Sequence, residues 1–302
     1  MFFWSISNRR LLLTLTLAVV MTSLAAVAAP TAHPQVFVGG VAGIEDLLVE
    51  KHSAQFRALG GGLYLHNNGW ALLKPAQQRA LLGIFKGRPV AIELGFGSNP
   101  AGAESWARRL KTGYINAGCV PDFIAANAFA HDSRPTPAEW KAYTEKLRTA
   151  GGLPAKALVL PTFEYANFSP NIRALAKTKV SQMPEFQEII RYAGGIVIDA
   201  PCGYFFKREQ GYRDWVVDAI RWTQRAGLKA VHIASPNRTG EQFDEEAIRL
   251  VNFLKEKNAL PDVFVCENYE AHAKNDYPNR VGDESVPHTT LGVALLLAKP
   301  EK

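Results

Sequence analysis

Four acidic residues end or interrupt stretches that are otherwise apolar. They are Glu93 in PVAIELGFG, Glu164 in ALVLPTFEY, Asp199 in GGIVIDAP and Glu267 in DVFVCENY. An unpaired carboxylate is costly to bury, so each needs a partner, a metal or a mouth open to water. Carboxylates in such settings gather at functional sites. Two of them on one rim suit the cleavage of a glycosidic bond, in which one carboxyl is protonated to assist the leaving oxygen and the other is ionised as nucleophile or base. Polar and aromatic residues follow the same apolar runs: His66 and Asn67, Asn127, Tyr165, Tyr204, Asn237, and Asn268 with Tyr269. Amides would bond hydroxyl groups, and aromatic rings would stack on apolar faces of a ligand.

Something must carry these residues to one place. Eight short apolar runs recur along the chain, at 36–41, 61–69, 89–97, 122–129, 157–165, 194–201, 229–236 and 262–269. Most are continuously apolar rather than alternating, as expected of parallel strands covered on both faces. Helical patterns separate them. The clearest is TPAEWKAYTEKLRTAGG, in which Thr136 is an N-cap, Pro137 opens the helix, Glu139 closes a capping box and Gly151 stops it. A helix is also predicted from Glu45 to Leu59, and Pro184 is expected to break the segment 171–193. Eight strand–helix units in this length predict an α/β fold, a single (β/α)8 TIM barrel of eight parallel strands with surrounding helices, spanning 35–302. An open doubly wound sheet is the rival, but no G-x-G-x-x-G follows the first strand.

In such a barrel the chemistry lies at the C-terminal ends of the strands. The residues above all fall at that end, whereas Gly, Pro, Lys, Ala and Asp enter the strands. With the leader described below, this arrangement resembles the (β/α)8 glycoside hydrolases, as architecture over the whole mature chain. The largest clan of that kind carries its acid after an Asn ending strand four and its nucleophile on strand seven. Here Asn127 is followed by Ala128 and strand seven ends in Ser235, so any catalytic pair must come from other strands. Glu164 and Glu267, on strands five and eight, are the expected catalytic pair, with acid and nucleophile unassigned. Glu93, Asp199, His66, Asn67, Asn127, Tyr165, Tyr204, Asn237, Asn268 and Tyr269 are the expected substrate contacts. The implied substrate is an oligo- or polysaccharide, with no cofactor and no metal. Two alternatives stay open: a metal-dependent enzyme on sugars or phosphate esters, using these carboxylates with His66 or His232, and a non-catalytic carbohydrate-binding barrel.

The N-terminus has a different character. Arg9 and Arg10 precede an apolar run, Leu11 to Met21, and small residues ending Ala26-Val27-Ala28. This reads as a signal peptide over 1–28, hence a secreted or periplasmic protein with no stable membrane insertion once the leader is removed. The net charge is +6, with basic residues scattered among acids, which argues against nucleic-acid binding. The three cysteines, Cys119, Cys202 and Cys266, permit one bridge at most. Cys202 and Cys266 both follow strand-like runs, so they either pair or serve as small buried residues.

Overall fold

The structure, a computed structural model, describes residues 33–129, 134–164, 178–208, 210–236, 239, 242–268 and 280–299. All lie in one compact unit, His33–Lys302. The leader expected over 1–28 lies outside the described residues.

Eight parallel strands close in chain order into one barrel. They are β1 (Gln35–Gly40), β2 (Gly62–Leu65), β3 (Val90–Gly95), β4 (Phe123–Phe129), β5 (Leu158–Glu164), β6 (Gly195–Asp199), β7 (Lys229–Ala234) and β8 (Val263–Asn268), with β8 pairing back onto β1. The chain therefore forms an α/β TIM barrel. The helices are α1 (Ala54–Ala58), α2 (Asn67–Leu72), α3 (Pro75–Ile84), α4 (Pro100–Gly113), α5 (Pro137–Thr149), α6 (Pro184–Ala193), α7 (Cys202–Phe205), α8 (Gln210–Arg225), α9 (Phe243–Glu256) and α10 (Thr290–Ala298). No helix among the described residues is long and apolar enough to cross a membrane.

The continuous apolar strands have two destinations. Phe37, Tyr64, Ala91, Ala125, Leu160, Val197, Val231 and Val265 form one cluster inside the barrel. Their sequence neighbours, such as Val38, Leu63, Ile92, Ala126, Val159, Ile198 and Cys266, face the helices and form the larger core. Both faces are dry, so neither needs the polar half of an alternating pattern. α5 is capped as its sequence dictates: Thr136 accepts from the Glu139 amide, Glu139 returns the bond to the Thr136 amide, and Pro137 opens the helix.

The stretch from Glu45 to Leu59 departs from the single helix expected. It forms two 3-10 turns, Ile44–Leu48 and Glu50–Ser53, followed by the short α1. A segment near the C-terminus holds it in this shape. Arg280 pairs with Asp46 at 2.6 Å and Glu45 at 3.2 Å, and the Glu284 carboxylate accepts from the Gln55 and Phe56 amides, each at 3.0 Å. The short helices α2 and α7 begin two and three residues beyond a strand end. They follow their strands too closely for a separate periodic pattern to show.

Candidate functional site at the barrel mouth

Alternation fixes which strand-end residues look inward. Two positions beyond Phe37, Tyr64, Ala91, Ala125, Leu160, Val197 and Val265 stand Gly39, His66, Glu93, Asn127, Thr162, Asp199 and Glu267. This is the top layer of the barrel interior. Glu93 and Glu267 are 6 % and 3 % exposed, and His66 is 4 % exposed, so these three are polar yet buried, while Asn127 and Asp199 in the same layer are half-buried.

Gly39 sits between the two strands that matter most. It pairs with Tyr64 on β2 and with Glu267 on β8. With no side chain at this inward position, groups from β2 and β8 meet across β1. An added Cβ would stand 1.9 Å from the Tyr64 carbonyl oxygen, so only glycine fits here. Gly69 serves a similar close approach, because a Cβ there would lie 2.1 Å from the Gly40 carbonyl oxygen. The first turn of α2 thereby presses against the end of β1 and aims His66 inward.

His66 caps α2: its Nδ1 accepts from the Asn68 backbone N–H at 3.1 Å. The ring proton is therefore on Nε2. Nε2 lies 3.3 Å from Glu93 Oε1 and 4.0 Å from Glu267 Oε1. Glu93 takes two further donors, Asn127 Nδ2 on Oε1 at 3.0 Å and the Tyr64 hydroxyl on Oε2 at 2.8 Å. Burial pushes the Glu93 carboxyl up, but the nearby His66 and the hydrogen bonds from His66, Asn127 and Tyr64 outweigh it, so its pKa is held below the ordinary carboxylate value. The Tyr64 phenol is pushed well above its ordinary value, by burial first and then by the Glu93, Glu267 and Asp199 carboxylates. That places three acids within electrostatic reach of one hydroxyl.

Among the described residues, His66, Glu93 and Glu267 are the group whose atoms could converge on a metal, their donor atoms lying within 4.8 Å of one another. The tautomer opposes it. A metal on Nε2 must displace the proton there, and Nδ1, already accepting from Asn68, carries no other. A metal-bound histidine normally donates its second N–H outward; here the proton would have to move to Nδ1, at the cost of the Asn68 bond. The donor set suits a metal by distance, and the Asn68 bond favours the histidine tautomer that does not bind one.

The other expected contacts are distributed differently. Asp199 is half-buried on the inward face of β6, paired with Ile233. Glu164 pairs with Asp199 in the backbone register, and its side chain lies outside the described set, as do Tyr165, Asn237 and Tyr269. Asn127 is at the site, but its amide N–H serves Glu93. Asn268 is 2 % exposed and alternates with Phe264 and Cys266, which puts it on the helix-facing side beside Gly40. Asn67 is half-buried in the first turn of α2, with its amide 3.4 Å from Asn68 Oδ1. Tyr204 lies on α7 beneath the Arg208 guanidinium, 5.4 Å from its ring centre. Trp70, 2 % exposed, stacks on Tyr114 and donates to the Gly113 carbonyl at 2.7 Å, so it is a core residue. Tyr64 escaped the sequence reading because an aromatic inside an apolar strand looks like packing. Its separation of two residues from His66, hence the same strand face, was the available signal.

No protein-family model matches the chain, and no curated protein matches it in sequence. Solved structures resemble it in architecture. Orotidine 5'-monophosphate decarboxylase from Methanocaldococcus jannaschii, complexed with the inhibitor BMP, is 12 % identical with a TM-score of 0.47, the match covering 87 % of this chain and 99 % of that one. KGPDC from Streptococcus mutans is 8 % identical with a TM-score of 0.47, covering 87 % and 98 %. N-(5'-phosphoribosyl)anthranilate isomerase from Pyrococcus furiosus is 11 % identical with a TM-score of 0.44, covering 89 % and 100 %. These are enzymes of other chemistries, and none is a glycoside hydrolase. These likenesses show the fold alone; the expectation of a glycosidase finds no counterpart among them and is withdrawn, and they do not bear on export or on a saccharide ligand.

Proposed function

We propose that the protein is a metal-independent enzyme that moves a proton on a small polar substrate at the C-terminal mouth of the barrel. The observation carrying this reading is the Asn68 N–H to His66 Nδ1 bond. It occupies the one lone pair of the imidazole, so His66 is a donor and not a base. Glu93, fixed by three donors, is the standing anion. Glu267, its Oε1 4.0 Å from the same Nε2, is assigned as the group that exchanges a proton with substrate. Two carboxylates with unlike surroundings are how one site holds an acid and a base together. Carboxylates at Glu93, Asp199 and Glu267 also make the mouth a poor host for anions. The expected substrate therefore carries no net negative charge, and inorganic phosphate is expected to leave the melting temperature unchanged.

The test is direct. In nitrogen-15 NMR of histidine-labelled protein, His66 is expected as the Nε2–H tautomer, unchanged by added Zn2+ or Mg2+. The melting temperature is expected not to rise with either ion, whereas a metal at a hundred times its dissociation constant would add about 2.7 kcal/mol. Loss of the Nε2 proton on Zn2+ addition, with a raised melting temperature, would establish the metal-dependent reading favoured by the 4.8 Å cluster.

A further inference from the structure

We propose that Tyr64 is a positioning residue for this site: its phenol, wholly inside the barrel, fixes Glu93 Oε2 and turns Oε1 toward His66 and Asn127. This rests on the proton-transfer reading and names a participant it does not require. The interior layer around Tyr64 is made of Phe37, Ala91, Ala125, Val197, Val265 and their neighbours. For packing alone a phenylalanine would suffice and would avoid burying a hydroxyl. Instead the hydroxyl reaches upward 2.8 Å to Glu93, crossing from the dry layer into the polar one.

The geometry divides the carboxylate into two halves. Oε2 is held from below by Tyr64. Oε1 is held from the sides by His66, at the start of α2, and by Asn127, on β4. A carboxylate gripped at both oxygens cannot rotate about its last bond, so the direction in which it offers charge to His66 is set from inside the barrel. Glu267 on β8 and Asp199 on β6 complete the titratable groups that act on the phenol. All three carboxylates and the burial keep the phenol protonated, which makes it a donor that does not switch off across the working pH range.

The experiment uses the whole protein with carbon-13 carboxyl-labelled glutamate and chelator present, Glu93 being assigned by its absence in Glu93→Gln. In Tyr64→Phe the titration midpoint of Glu93 is expected to move up, and the His66 nitrogen-15 signals to shift. Substitution of 3-fluorotyrosine at position 64 keeps the ring and strengthens the donor, so the midpoint is expected to move down. An unmoved midpoint in either folded protein overturns the proposal, because a ring that only packs would leave Glu93 alone. If Tyr64→Phe does not fold, the fluorinated protein decides. Neither measurement needs a substrate, so its outcome is separate from that of the proton-transfer reading, which is decided by the His66 tautomer and its response to Zn2+.

Discussion

Glu267→Gln is expected to lower the rate of proton transfer by about 10²–10⁴-fold, the usual worth of a positioned acid or base. The protein should remain folded, since the substitution is isosteric and the position is 3 % exposed within a well-packed strand. The measurement is the entry of solvent deuterium into a substrate of the wild-type protein, found by screening small neutral hydroxy-carbonyl compounds in heavy water. Glu93→Gln should behave differently. Oε1 would still accept from His66 and Asn127, and the Tyr64 hydroxyl can turn to accept from the new amide. What is lost is the charge on those bonds, so stability falls by about 1–2 kcal/mol, read as a lower urea midpoint at constant slope. A Glu267→Gln protein that retained the full exchange rate would remove Glu267 from the chemistry and leave the site a binding one.

The contrast between these two acids was partly legible in the sequence. Both end apolar runs, and their strand-end position followed from eight recurrent runs whose two dry faces leave the same signature in every strand. Their partnership was not legible. Glu164 and Glu267 looked like a pair because strands five and eight face one another across a barrel. Glu93 and Glu267 meet because Gly39 leaves the intervening strand bare at that level, and because α2 starts abruptly enough for His66 to be its cap, whereas the Glu164 side chain lies outside the described residues. Each of these depends on register between segments far apart in sequence, and a one-residue difference in register moves a side chain to the opposite face. Asn268 shows the same sensitivity from the other side: it adjoins Glu267 in sequence yet alternates onto the helix-facing surface. The helix expected over 45–59 failed for a related reason. Its local pattern is helical, but Arg280 and Glu284, more than two hundred residues away, hold the backbone in 3-10 turns, and no local pattern reports such partners.

Stability is expected to fall by about 3 kcal/mol between pH 6.5 and pH 4, through His232. This histidine is fully buried on the helix-facing side of β7, 6.3 Å from the Phe205 ring centre and 5.8 Å from that of Phe264. Its Nε2 donates to the Ala200 carbonyl at 3.3 Å, and Nδ1 has no hydrogen-bond partner among the described residues. Burial pushes its pKa from 6.5 down to about 4, against a small opposing effect of the Ala200 bond. The sign follows from which state binds the proton. Below 6.5 the unfolded chain takes it up while the folded chain cannot until about pH 4, so each pH unit in that window favours unfolding. Above 6.5 neither state carries it, and the full stability is present. Glu93 acts separately: its folded pKa is depressed, so its contribution is lost as pH falls through the carboxylate range. Urea midpoints from pH 7 to pH 4 should therefore decline in the wild type from about pH 6.5, before carboxylates begin to titrate. In His232→Leu the decline should be absent above pH 5 and resume below it, where the acids protonate. An equal slope in both proteins between pH 6.5 and pH 5 would place the proton uptake elsewhere than in this buried ring.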